Sequence, residues 1–210
     1  MKLKHLTLIV ILAGIARLSR DAAAEPAIVG APAPEFEAVD TEGVKHALSK
    51  YKGKNIVLEW FNPECPFVKK FYKNGDMAKL QKKVVEGGDI WLTINSSAAG
   101  KQGYIDPAQA SGMQTKLGVA STALLLDPQG AVGRSYGART TPHLFVIDAQ
   151  GVLAYAGAID STPSTAPSDI ASSTNYVLKA IQELKSGGKV QTSSTEPYGC
   201  SVKYDASMKG

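Results

Sequence analysis

Cys65 stands between Glu64 and Pro66 in "WFNPECPFVKKFY", where an apolar run of β-branched and aromatic residues gives way to a helical pattern. That address suits a reactive thiol. Pro66 fits the first turn of a helix, because its missing N–H would have no partner there and its fixed φ is already helical. Cys65 is then at or beside the N-cap, facing unpaired N–H groups and the positive end of the helix dipole, which both favour thiolate over thiol. Cysteines so placed have pKa values lowered from about 8.5 into the range of about 3.5–7.5. Lys69 and Lys70, one turn on, read as a solvated helix face that would add positive potential. The competing reading of Cys65 is a buried or disulfide-bonded structural cysteine.

What such a thiolate can do depends on a second sulfur. Position 68 is Val68, so the helix carries no Cys-x-x-Cys partner. The other cysteine is Cys200, in "EPYGCSVKY", within a Gly-flanked polar tail able to fold back over the site. It would make Cys65 half of an intramolecular redox couple, or it would pin the tail with a permanent disulfide. Those two readings share a bond and differ in how easily it is reduced. A second stretch, "ARTTPHLFVID", sets Thr141 and Pro142 immediately before a buried strand. There Pro142 reads either as an ordinary strand-initiating proline or as part of a substrate-handling loop. His143 beside it would tune the thiol or carry a proton, or is simply structural. Arg139 would meet an anion or the thiolate.

The elements that must position these residues follow from pattern. "NIVLEWF" reads as a buried central strand. A helix is expected at about 66–86, stopped by the Gly pair at 87–88. "DIWLTINSS" is the next strand. "DPAQASGMQTKLG" is a second helix, capped by Asp106, opened by Pro107 and closed by Gly118. "ALLLD" and "HLFVID" are short strands, and "GVLAYAGAID" pairs with the latter as a hairpin across "DAQG". A last amphipathic helix is expected at about 169–186. The start, "EPAIVGAPAPEFEAVDTEG", is an extended arm leading into a short hairpin. The order β-α-β, α, β-hairpin, α is the thioredoxin arrangement. It predicts an α/β fold with a central mixed sheet flanked by helices and an N-terminal hairpin extension.

Residues 1–24 read as a secretory signal peptide: Lys2 and Lys4, a short apolar core, then small residues. The apolar core is too short for a bilayer, which needs roughly 20 residues, so no stable membrane span is expected after cleavage. An exported chain, periplasmic or extracellular, would hold 25–188 as the folded domain and 189–210 as the tail that carries Cys200. Removing the leader takes away Lys2, Lys4, Arg17, Arg20 and Asp21, leaving 19 basic and 18 acidic residues of the original 23 and 19. The basicity therefore belongs mainly to the leader, and nucleic acid is not an expected partner.

Together, "APAPEFEAVDTEG", "NPECPFVKKFY", "TTPHLFVID" and "YGCSVKY" resemble the redoxins of the alkyl hydroperoxide reductase/thiol-specific antioxidant group. The likeness is to the peroxiredoxin-like branch, which pairs one Cys-Pro-x-Val motif with a C-terminal Gly-Cys-Ser, and it runs from about Gly30 to Tyr204. It implies a thioredoxin fold, with Cys65 as nucleophile, Pro142 as a cis-proline and Cys200 as partner cysteine. Thr141, His143, Arg139, Asn62 and Pro66 would surround and tune the pair. Leu58 and Asn62 stand where the peroxiredoxin signature has Pro and Thr or Ser. Two chemistries follow. The Cys65 thiolate would reduce a hydroperoxide, with the sulfenic acid resolved by Cys200, or would exchange with a protein disulfide. Either needs an external thiol reductant and no cofactor or metal. A non-catalytic binding or metallochaperone protein on the same fold is the third reading.

Overall fold

The computed structural model describes residues 26–207, so the expected leader over 1–24 lies outside the described residues. Glu37–Asp40 (β1) and Lys45–Ala47 (β2) form the expected hairpin, its turn held by Asp40, whose carboxylate accepts the N–H groups of Glu42 and Val44. A 3-10 turn at Leu48–Tyr51 leads to Ile56–Trp60 (β3), buried at every residue. The next elements are Pro66–Tyr72 (α1), Asp76–Glu86 (α2), Ile90–Asn95 (β4), Pro107–Leu117 (α3), Ala123–Leu126 (β5) and Ala131–Ser135 (α4). Thr140–Thr141 (β6), His143–Ile147 (β7), Leu153–Gly157 (β8), Tyr176–Lys185 (α5) and Cys200–Ser201 (β9) follow within the described residues.

Seven strands form one mixed sheet in the order β2-β1-β5-β4-β3-β7-β8. β3 runs parallel to β4 and β4 to β5, while β7 and β8 are antiparallel to their neighbours. The period of two in β3 divides the core. Val57 and Phe61 pack with α1, α2 and α5, whereas Ile56, Leu58 and Trp60 pack with Tyr136, Phe145 and the N-terminal arm. This is the thioredoxin-like α/β arrangement, and it brings the C-terminal end of β3 and the start of α1 to the centre of the sheet. No helix among the described residues is long and apolar enough to cross a membrane.

Two of the expected helices differ in extent, and α4 is a short helix that the sequence reading did not expect. The helix expected over 66–86 is broken: α1 ends at Tyr72, and Gly75 turns the chain at φ +74° before α2 begins. "Asn-Gly" at 74–75 is a turn signal, and glycine enters the left-handed region without a Cβ penalty. The last helix starts at Tyr176 rather than near 169. Asn175 caps it, accepting the Leu178 N–H at 2.9 Å, and the residues before it form a 3-10 turn at Pro167–Ser172.

Candidate active site

Cys65 occupies the N-cap of α1, with Pro66 in the first turn. The bend before it is set by Asn62. Its side-chain oxygen accepts the Glu64 N–H at 2.8 Å, and its backbone carbonyl accepts the Cys65 N–H at 3.1 Å. The Asn62 carboxamide also reaches the Gln102 carbonyl at 3.5 Å, so it ties the loop before Cys65 to the segment after β4.

The tail comes back to this point. β9 pairs antiparallel with β6, setting Cys200 opposite Thr141 and Ser201 opposite Thr140. The Cys65 and Cys200 sulfurs are 2.6 Å apart, both as free thiols. The Cys65 S–H also points to the Thr141 carbonyl at 3.0 Å. Thr141–Pro142 is a cis peptide. Cys65 is fully buried (0% exposed), while Cys200 is half-buried.

The two thiols are driven apart in acidity. Burial pushes the Cys65 thiol up. The opposing contacts hold it below its ordinary value: the Cys200 thiol first, then the Val68 N–H and the Thr141 side chain. Burial and the neighbouring Cys65 push Cys200 up to about 11. Of the two, Cys65 is therefore the more acidic thiol and the one more readily converted to thiolate.

Tail position is secured on both sides of Cys200. Upstream, the Thr195 hydroxyl accepts the Ala158 N–H at 2.9 Å and bonds the Tyr155 hydroxyl at 2.6 Å. Downstream, the Tyr204 hydroxyl donates to the Ala138 carbonyl at 2.8 Å, and the Arg134 guanidinium lies over its ring. Gly199 is required where the tail meets the site. It sits at φ +139°, and a Cβ there would lie 2.1 Å from the Thr141 carbonyl oxygen.

Of the residues expected near the site, Cys65, Cys200, Thr141 and Pro142 come together, with Asn62 and Pro66 shaping the approach to the thiol. Among the described residues, neither His143 nor Arg139 hydrogen-bonds a sulfur. His143 is buried against Phe145, and its Nδ1 accepts the Arg139 N–H at 3.3 Å. Burial, with the Arg139 charge adding to it, pushes its pKa down to about 3. The imidazole is neutral at physiological pH. The Arg139 guanidinium turns outward to Glu196 of the tail at 3.1 Å.

Two buried polar features escaped the sequence reading. Lys69 is exposed as expected, but Lys70 is not part of a solvated face. Its ammonium is buried and pairs with Asp160 at 3.1 Å. A lysine flanked by Val68, Phe71 and Tyr72 carries no local sign of this, because its partner comes from beyond β8. Tyr198 joins the same pair through a hydroxyl bond to Asp160. Glu59, on β3, is fully buried and accepts from Tyr72, Gln81, Trp91 and Thr93 at 2.9–3.2 Å. Burial raises its pKa against those four donors. A lone acid within "NIVLEWF" was the available signal. Among the described residues, no three His, Cys, Asp or Glu side chains converge as a metal site would require.

The redoxin family model matches residues 28–173, which includes β3, Cys65 and the Thr141–Pro142 loop. The chain belongs to the redoxin family. The match ends before α5, so the Cys200 tail lies outside the matched segment of this redoxin. A curated relative, the thiol-disulfide oxidoreductase ResA of Geobacillus thermodenitrificans, is 27% identical over 130 residues, covering 59% of this chain. The redoxin spans 65% of that relative's length. Two solved structures share the fold over nearly their whole length. An uncharacterized conserved protein from Geobacillus kaustophilus has a TM-score of 0.76 at 24% identity, covering 86% of this chain and 94% of its own. A hypothetical protein from Sinorhizobium meliloti 1021 has a TM-score of 0.72 at 22% identity, covering 87% and 97%.

Proposed function

We propose that this redoxin is an exported thiol-disulfide oxidoreductase that cycles between a Cys65–Cys200 dithiol and the corresponding disulfide. The observation that carries this reading is the 2.6 Å separation of the two sulfurs. A disulfide bond is about 2.05 Å long, so oxidation needs little movement. The disulfide oxidoreductase ResA among the relatives supports the same class of chemistry, and the leader-like pattern of residues 1–24 supports export.

In the cycle, a protein thiolate attacks a substrate disulfide, forms a mixed disulfide and releases one substrate thiol. The remaining protein thiol gives up its proton and attacks the protein sulfur of that mixed disulfide. The second substrate thiol then leaves and the Cys65–Cys200 bond forms. Two protein thiols are oxidised and one substrate disulfide is reduced to two thiols. An external thiol reductant reverses the change. Cys65 supplies the thiolate, and Cys200 is the more exposed residue of the two.

Hydroperoxide reduction is the second reading, favoured by the complete burial of Cys65, which suits a small oxidant better than a protein disulfide. In that reaction the thiolate attacks the peroxide and becomes sulfenic acid, and Cys200 condenses with it to release water. Assays of the purified protein for insulin disulfide reduction and for hydrogen peroxide consumption separate the two. Faster disulfide turnover that is lost in both Cys65→Ser and Cys200→Ser is expected. Peroxide turnover without insulin reduction would transfer the assignment to the second reading.

A further inference from the structure

Lys70 and Asp160 form an ion pair at 1% and 3% exposure, and Lys70 also donates to the Thr162 carbonyl at 2.9 Å. Burying two charges is costly, and apolar replacements of such pairs are often neutral or stabilising, so stability alone is a weak reason for this one. Its placement suggests another. Lys70 lies on α1, the helix that Cys65 caps. Asp160 follows β8, and its second carboxylate oxygen accepts the hydroxyl of Tyr198, two residues before Cys200. The Tyr198 ring meets Phe67 of α1 edge-on at 5.8 Å and lies under the Lys70 ammonium, also at 5.8 Å. A closed ring of contacts thus runs from Cys65 along α1 to Lys70, through Asp160 and Tyr198 to Cys200, and back to Cys65.

We propose that Lys70, Asp160 and Tyr198 form a clamp that positions Cys200 over Cys65 and so sets how strongly the internal disulfide is favoured. The proposal rests on the reading of Cys65 and Cys200 as a reversible couple. Thr195 fastens the tail to β8, and Tyr204 fastens it beside α4. Neither anchor refers the tail to the helix that carries Cys65. Tyr198 does. A sulfur held in place has a high effective concentration toward its partner, whereas one on a loose tail loses that advantage to free thiols in solution. The buried pair is suited to the task because Asp160 offers one oxygen to the ammonium and the other to the phenol, holding both on a single carboxylate. Lys70, Asp160 and Tyr198 are positioning residues. Among the described residues, none of the three hydrogen-bonds a sulfur.

The test is the equilibrium between the internal disulfide and a glutathione redox series, read by mass spectrometry after acid quenching, with melting temperature measured in parallel. Tyr198→Phe keeps the ring and removes only the hydroxyl bond to a charged group. The Lys70→Met/Asp160→Leu double variant replaces the ion pair with apolar groups. The equilibrium constant for disulfide formation is expected to fall about tenfold in Tyr198→Phe, the order of one hydrogen bond to a charged group, and at least as far in the double variant. A constant within about twofold of wild type in Tyr198→Phe, on a scale where such a bond is worth tenfold or more, overturns the clamp, whatever happens to the melting temperature. Should the double variant fail to fold, Tyr198→Phe decides. A wild-type protein that forms no Cys65–Cys200 disulfide anywhere in the series would instead overturn the couple itself, and the clamp with it.

Discussion

Thr141 faces Cys200 across an antiparallel strand pair, while its carbonyl accepts the S–H of Cys65 at 3.0 Å. One residue therefore organises both sulfurs, through its backbone. The arrangement uses the edge of a two-residue strand, β6, which the chain's own tail covers.

Gly199→Ala should detach Cys200 from this edge. The added Cβ would fall 2.1 Å from the Thr141 carbonyl oxygen, at a backbone conformation of φ +139° that side chains rarely adopt. A cost of about 1–3 kcal/mol is expected for holding a residue there. Hydrogen exchange should show faster amide exchange at 199–202 with the sheet core unchanged, and the internal disulfide should form less readily. Exchange at the wild-type rate would mean that the strand pair tolerates the side chain.

Acidity at Cys65 should depend on the donor at position 200. Cys200→Ser and Cys200→Ala open the site to a similar extent, but only serine keeps a group that can donate to the thiolate. Ultraviolet thiolate titration should therefore give a higher Cys65 pKa in the alanine variant than in the serine variant. Equal values would remove the Cys200 contact as the cause of the lowered pKa.

Reduction of the disulfide form should begin at Cys200. Cys65 is fully buried and Cys200 is half-buried. Attack on Cys200 also releases the sulfur whose thiol pKa is held down, and the more acidic thiol is the better leaving group. Brief exposure of the disulfide form to glutathione, followed by acid quenching and peptide mapping, should find the mixed disulfide predominantly on Cys200. Predominance on Cys65 would reverse the order.

His143 should make the fold less stable in acid. Its folded pKa, about 3, lies below the ordinary value of 6.5. Between those values the unfolded chain binds a proton that the folded chain does not, so stability rises with pH across the interval. It is fully present above about pH 6.5 and falls by at most about 1.4 kcal/mol per unit as the pH drops toward 3. Chemical unfolding of wild type and His143→Gln at several pH values should show a shallower acid slope in the variant. Parallel slopes would mean that the histidine is not held neutral.

The amino-acid sequence by itself determined the features whose causes are local. Pro66 after Cys65 marks the strand-to-helix junction because proline needs no N–H partner in the first turn. Asp106 is the helix cap it reads as, accepting the Ala108 N–H at 2.9 Å. The "DAQG" turn closes the β7–β8 hairpin, with Asp148 accepting the N–H groups of Gln150 and Val152. The chain order of the strands of the main sheet was legible for the same reason, since each depends on periodicity within a few residues. Only the tertiary structure decided what depends on distant partners. β6 and β9 are two residues each, too short for any alternation to show, and exist because they meet each other. Lys70 is buried because Asp160, 90 residues away, neutralises it. Glu59 is tolerated in a central strand because four donors from α1, α2 and β4 converge on it. Cys65 and Cys200 are separated by 135 residues. No local pattern carries information over that length. It is the sheet that places β7 beside β3, and so sets the Thr141 edge beside Cys65 for the tail to pair with.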